Sequence, residues 1–135
     1  MKLRNLILPL VLLVLLGVGT CQAAECPIEV KVKLQPMGPA DITITSVADV
    51  VTVQNVVINR GNVKPFDFSD TEGIKLAVSK APPNEFNPFY ALENPPPLRQ
   101  KTLKFGETWM LLASTSTIKE LEVQTNMGNW KFTFK

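Results

Sequence analysis

The sequence contains no histidine. Imidazole is the usual general base near neutral pH and the commonest metal ligand. Its absence rules out Ser-His-Asp and Cys-His nucleophile arrangements and every zinc site built on histidine. Cysteine is nearly as scarce, with only Cys21 and Cys26 in the chain, too few for an all-cysteine zinc site. There is no glycine-rich phosphate loop, no internal repeat and no block of like charge. No stretch of ten residues carries the 3.6-residue period of an amphipathic helix.

What is present begins with an export signal. Met1-Lys2-Leu3-Arg4-Asn5 is a cationic head, followed by an apolar stretch from Leu6 to Gly19 and a small, polar run Thr20-Cys21-Gln22-Ala23-Ala24. An apolar stretch of about 14 residues falls short of the roughly 20 that a spanning helix needs and suits a cleavable signal peptide. Cleavage after Ala23 places two small residues, Cys21 and Ala23, where an A-x-A-like site requires them. The alternative is lipidation: Val18-Gly19-Thr20-Cys21 resembles a lipobox, departing from it at Thr20, and would make Cys21 the modified first residue. The expectation is a signal peptide over 1–23 and a single domain over 24–135, located in the periplasm or outside the cell.

Removing the signal changes the charge argument. Lys2 and Arg4 are the only charged residues in it, so the remaining side chains balance at 12 Lys+Arg against 12 Asp+Glu. Without a net positive field, nucleic acid is excluded as an expected partner. A membrane is expected only if Cys21 is lipidated. Simple cleavage leaves Cys26 as the sole cysteine, with no intramolecular disulfide, so the apolar core must hold the domain.

After Cys26 the dominant pattern is period two, the signature of half-buried strands. Val30, Val32 and Leu34 alternate with Glu29, Lys31 and Lys33, and Ile42 and Ile44 alternate with Asp41, Thr43 and Thr45. Val50 to Ile58 carries valine on both parities, as in a strand covered on both sides or one with a bulge. Ile74, Leu76 and Val78 read as a short strand after Gly73. Leu98–Phe105 and Thr108–Ala113 read as a hairpin around Gly106-Glu107. A second hairpin joins Ile118–Thr125 to Asn129–Lys135; pairing Thr125 with Trp130, Val123 with Phe132 and Leu121 with Phe134 gives one apolar and one polar face. About eight such strands predict an all-β fold, a small antiparallel β-sandwich, immunoglobulin-like or related. A small β-barrel is the alternative.

The segment 81–98 breaks the rhythm. Pro82, Pro83, Pro88, Pro95, Pro96 and Pro97 deny the backbone donors and fix φ, predicting a stiff loop. Phe86, Phe89 and Tyr90 lie between them with no strand periodicity, and aromatic anchors on a restrained loop are what protein interfaces favour. These three are the expected binding residues, against the alternative that they cover a sheet edge.

Chemistry finds little support elsewhere. Asp67-Phe68-Ser69-Asp70-Thr71-Glu72-Gly73 misses the calcium-loop pattern at both its glycine and its glutamate, and reads as a solvated acidic turn. Ser79-Lys80 are adjacent and, on a strand, would point to opposite faces. Trp109, Trp130, Phe132 and Phe134 sit at alternating positions and suit the core. No catalytic, cofactor-binding or metal-ligating residue is singled out, and no cofactor is expected. Asn59-Arg60-Gly61-Asn62, Leu103-Lys104-Phe105-Gly106 and Gly128-Asn129-Trp130-Lys131-Phe132 resemble segments of small exported bacterial proteins of no named family, which implies a bacterial source and no activity. The expected function is protein–protein contact by an exported, non-enzymatic module. The alternatives are a lipid-anchored structural protein of the envelope and, third, an enzyme using carboxylates or a Ser–Lys pair.

Overall fold

The computed structural model describes residues 26–83 and 90–135. They form eight strands: β1 (Ile28–Lys33), β2 (Ala40–Ser46), β3 (Val50–Ile58), β4 (Pro65–Phe66), β5 (Lys101–Lys104), β6 (Thr108–Ala113), β7 (Glu120–Thr125) and β8 (Gly128–Thr133). Two helices interrupt them, α1 (Thr71–Ser79) and α2 (Tyr90–Glu93). The strands make two antiparallel four-stranded sheets, ordered β1-β2-β6-β4 and β5-β3-β7-β8. This is a sandwich and not a closed barrel. In an immunoglobulin constant domain A-B-E-D face C-F-G; here β1-β2-β6-β4 and β3-β7-β8 hold those places, with β5 added beside β3.

Alternation explains the core. Val30, Ile42, Ile44 and Leu111 point inward from one sheet, and Val51, Val53, Leu121, Val123 and Phe132 from the other, all buried. Strand β3 shows why valines occur on both parities. Its register against β7 shifts between Val53 and Asn55, a bulge at Gln54 that adds one unpaired residue. Before the bulge the buried residues are Val51 and Val53; after it they are Val56 and Ile58. A single inserted residue thus keeps both halves of the strand facing the core. The first strand ends one residue earlier than its alternation implied, leaving Leu34 exposed.

Three local expectations are corrected. Ile74, Leu76 and Val78 are not a strand but part of α1, and the eighth strand is the two-residue β4. Leu98–Phe105 and Thr108–Ala113 are not a hairpin. β5 pairs with β3 and β6 with β2, so the turn between them passes from one sheet to the other. At this corner the Phe105 N–H donates to the Asp49 carbonyl (3.1 Å) and the Gly106 N–H to that of Ser46 (2.9 Å). Gly106 adopts φ 83, which favours glycine.

The last hairpin keeps its expected faces and loses its expected register. Thr125 pairs with Gly128, Val123 with Trp130 and Leu121 with Phe132, a slip of two residues. An even slip preserves every face, so patterning cannot detect it. The turn decides. The Thr125 hydroxyl accepts from Met127 N (3.0 Å) and donates to the Gly128 carbonyl (2.8 Å). The Asn126 side-chain oxygen accepts from Thr52 N (2.9 Å) while Asn126 N donates to the Thr52 carbonyl (3.1 Å). These bonds hold a two-residue turn against β3.

Candidate functional site

The connection from β4 to β5, residues 67–100, joins the edge strand of one sheet to the edge strand of the other. It starts with the acidic run, in which Asp67 and Asp70 are engaged by neighbouring groups. Asp67 accepts from Ser69 N (3.0 Å) and Ser69 Oγ (2.6 Å). Asp70 is the N-cap of α1, accepting from Gly73 N at 3.1 Å, which satisfies one of the donors a helix start leaves open. The helix buries the small residues Gly73 and Ala77 and leaves Leu76 and Val78 exposed; Phe68, just before it, is exposed as well. These apolar side chains belong to no part of the core.

Gly73 sets how closely the chain can return. A Cβ there would overlap the Asp70 carboxylate and lie 3.3 Å from the Pro96 ring, so Pro96 passes directly over the helix backbone. Arg99 then pairs with Asp70 (Nε to Oδ2, 3.6 Å), drawing the end of the connection toward the start of α1. One aspartate therefore caps the helix and ties down the proline segment.

Of the three expected anchors, Phe86 and Phe89 lie outside the described residues. Tyr90 opens α2 and is half-buried, its hydroxyl donating to the Lys80 carbonyl at 3.5 Å. It braces α2 against the end of α1 more than it projects from the surface. The stretch read as a plain loop thus holds a short helix, of which Ala91 is the buried residue.

Two open grooves flank the returning proline segment. One, of about 480 Å³, is lined by Asn62, Lys64, Leu92, Glu93, Asn94 and Ser114 among others. The other, of about 550 Å³, runs between Pro95–Leu98 and residues Gln54–Val57 of β3, with Lys64 at its side. Both are touched by Val63, Lys64 and Pro95. The second groove borders an incomplete sheet. β5 pairs with β3 only from Val50 to Val53, whereas β7 continues along its other side to Ile58. Beyond the bulge, β3 has a strand on one side only among the described residues.

Several other polar groups have structural partners. Asn59 accepts from Lys119 N (2.8 Å) and Glu120 N (3.2 Å) and donates to the Thr117 carbonyl (3.0 Å). Glu120 pairs with Arg60 (3.4 Å) and Lys131 (3.6 Å). The Ser79 hydroxyl donates to the Leu76 carbonyl (2.7 Å) at the end of a helix, engaged with backbone rather than with Lys80. Cys26 is half-buried against the core, its thiol donating to the Ile28 carbonyl at 3.3 Å. Cys21 lies outside the described residues. Among the described residues no three acidic or cysteine side chains converge. The groove beside β3 escaped sequence reasoning because its walls come from residues about forty apart in the chain; Asp70 three residues before an amide it caps was the one local signal of α1.

No family model matches the chain, and neither any curated protein nor any solved structure is found similar to it.

Proposed function

We propose that this chain is an exported bacterial module that binds another protein through the layer built by residues 67–83 and 90–100, without catalysing a reaction. The observation that carries the reading is the exposure of Phe68, Leu76 and Val78 on that layer. The sandwich does not need them, since the core closes without them. Large apolar side chains left exposed outside a complete core are what a contact surface draws on. The lack of histidine and the local engagement of Asp67, Asp70 and Glu120 support the non-enzymatic part. The test is capture from envelope extract with the processed protein and with the Leu76→Ser/Val78→Ser double variant. A specific partner lost by the variant, at an unchanged urea midpoint, supports the reading. Equal capture by both proteins, or none by either, refutes it.

A second reading, tethering through a lipidated Cys21, is favoured by one observation. Val47 N donates to the Pro27 carbonyl (2.9 Å), so the chain joins the sandwich at the end where Val47 and Phe105 are exposed. Intact mass separates the two: a first residue Ala24 supports release, and a diacylated Cys21 supports tethering.

A further inference from the structure

We propose that the end of the sandwich carrying Val47, Val50 and Phe105 is a membrane-docking surface, seated on the interface of a lipid bilayer to which the chain is held by its N-terminal side. This rests on the tethered reading above and says which part of the domain meets the lipid.

Backbone hydrogen bonds bring three segments together at this end. The chain enters through Pro27, whose carbonyl accepts from Val47 N (2.9 Å). The loop from β2 to β3 and the turn from β5 to β6 lie side by side. Phe105 N donates to the Asp49 carbonyl (3.1 Å), Gly106 N to that of Ser46 (2.9 Å), and Ser46 N to that of Glu107 (3.0 Å). Val50 follows, opposite Lys104. The backbone is thus fixed, while Val47 and Val50 are exposed and Phe105 is 69% exposed. Next to them Ile28, Val51 and Leu103 belong to the buried core, which closes without these three side chains.

What covers this end follows from the length of chain ahead of it. Cys21 precedes Cys26 by five residues, which reach at most about 18 Å when fully extended. The turn after β1, with Met37, lies at the opposite end, since Ile28 pairs with Ser46 and Lys33 with Asp41. The six residues of β1 alone separate the two ends by about 20 Å. A chain held at a lipidated Cys21 therefore cannot turn the Met37 end onto the bilayer, because the connection is too short to run back past β1. Reach alone would also let the domain lie on its side. The outer face of β1 and β2 carries Glu29, Lys31, Thr43 and Thr45, however, and offers lipid nothing apolar. The exposed phenylalanine and valines select the end-on pose.

The chemistry of this end suits a shallow contact. Apolar side chains at the boundary between headgroups and acyl chains leave water at no polar cost. The backbone beside them meets the requirement that polar groups near lipid be satisfied internally, through the bonds just described. Charge sets the kind of lipid. Residues 46–50 and 104–107 hold Asp49, Lys104 and Glu107, all exposed, so these turns have no cationic excess to draw in anionic headgroups. A zwitterionic bilayer is therefore sufficient.

The experiment uses the acylated protein recovered from membranes and placed in phosphatidylcholine nanodiscs. Part of the lipid carries a nitroxide near the headgroup end of its acyl chain, and NMR reads the loss of methyl signals. Met37, 90% exposed at the opposite end, is the internal control. We expect the Val47 and Val50 signals to be attenuated at least about fivefold more than that of Met37, as apolar insertion at one end requires. Phe105→Ser removes the largest apolar group of this end and should cut that attenuation at least about threefold. Its urea midpoint should stay unchanged, because the ring lies outside the core. Met37→Ser should change neither reading. Equal attenuation at the two ends, or attenuation untouched by Phe105→Ser, overturns the docking surface and leaves the tether standing. Attenuation that appears only with anionic lipid marks a contact made by lysines elsewhere and also overturns it. A first residue Ala24, by intact mass, overturns the tethered reading and this proposal with it.

Discussion

Asn59 ends β3 with φ 49, followed by Arg60 at φ 59 and Gly61 at φ 91. Its side chain makes three hydrogen bonds to residues 117–120, the segment that leads into β7. Two separable effects are combined at this position: tolerance of a left-handed backbone and a latch across the sheet. Asn59→Gly keeps the backbone and removes the latch. Three bonds near the surface, at the low end of about 0.5–1.5 kcal/mol each, predict a loss of about 2 kcal/mol. Asn59→Ala removes the latch and adds a left-handed alanine, a further cost of about 1–2 kcal/mol. Part of this is offset because glycine also loosens the unfolded chain, by about 0.4–1 kcal/mol. Alanine should therefore fall below glycine by about 0.5–1 kcal/mol. Asn59→Asp retains the acceptor for Lys119 N and Glu120 N but sets a carboxylate oxygen against the Thr117 carbonyl, and should lose about 1 kcal/mol. Urea unfolding of the four proteins tests the order Asn, Asp, Gly, Ala from most to least stable. Alanine equal to or above glycine would refute the backbone argument, and aspartate no better than glycine would refute the latch.

Phe132 is fully buried opposite Leu121, so Phe132→Ala should cost about 3–5 kcal/mol. Glu122→Ala, on the outer face of the same hairpin, should stay within about 0.5 kcal/mol, and equal shifts in urea midpoint would show the faces are misassigned. Glu122 and Lys131 are directly opposite, so a double-mutant cycle should give a coupling of about 0.2–1 kcal/mol; the slipped pairing of Glu122 with Thr133 requires none. Deleting Gln54 removes the bulge yet leaves Val51, Val53, Val56 and Ile58 in one period-two series with unchanged partners on β7, so the variant should still unfold cooperatively by circular dichroism; loss of the cooperative melt would mean the bulge itself is required. Asp70→Ala removes the cap of α1 and the Arg99 pair, costing about 1 kcal/mol, and should raise hydrogen exchange at the Gly73 amide without affecting that of Val30.

Sequence patterning alone was sufficient for the all-β sandwich and for most core positions. Val30, Ile42, Ile44, Val123 and Phe132 are buried where their alternation put them, because the period of a strand is local and the hydrophobic effect acts on each residue's own face. Tertiary structure decided what local pattern leaves degenerate. Ile74, Leu76 and Val78 are three spaced apolar residues that fit a short strand as well as a nine-residue helix, and the Asp70 cap with Gly73 packed at Pro96 chose the helix. The register of the last hairpin was invisible because a two-residue slip changes no face; Thr125 and Asn126, bonded within the turn and to Thr52, chose it. The strands on either side of Gly106 read as neighbours because a short turn usually joins partners, yet the pairing of β5 with β3 and β6 with β2 parts them. The groove along β3 belongs wholly to this second kind of information. Its walls meet only because a bulge, a short β5 and three prolines come together in space, and nothing in the order of residues along the chain brings them together.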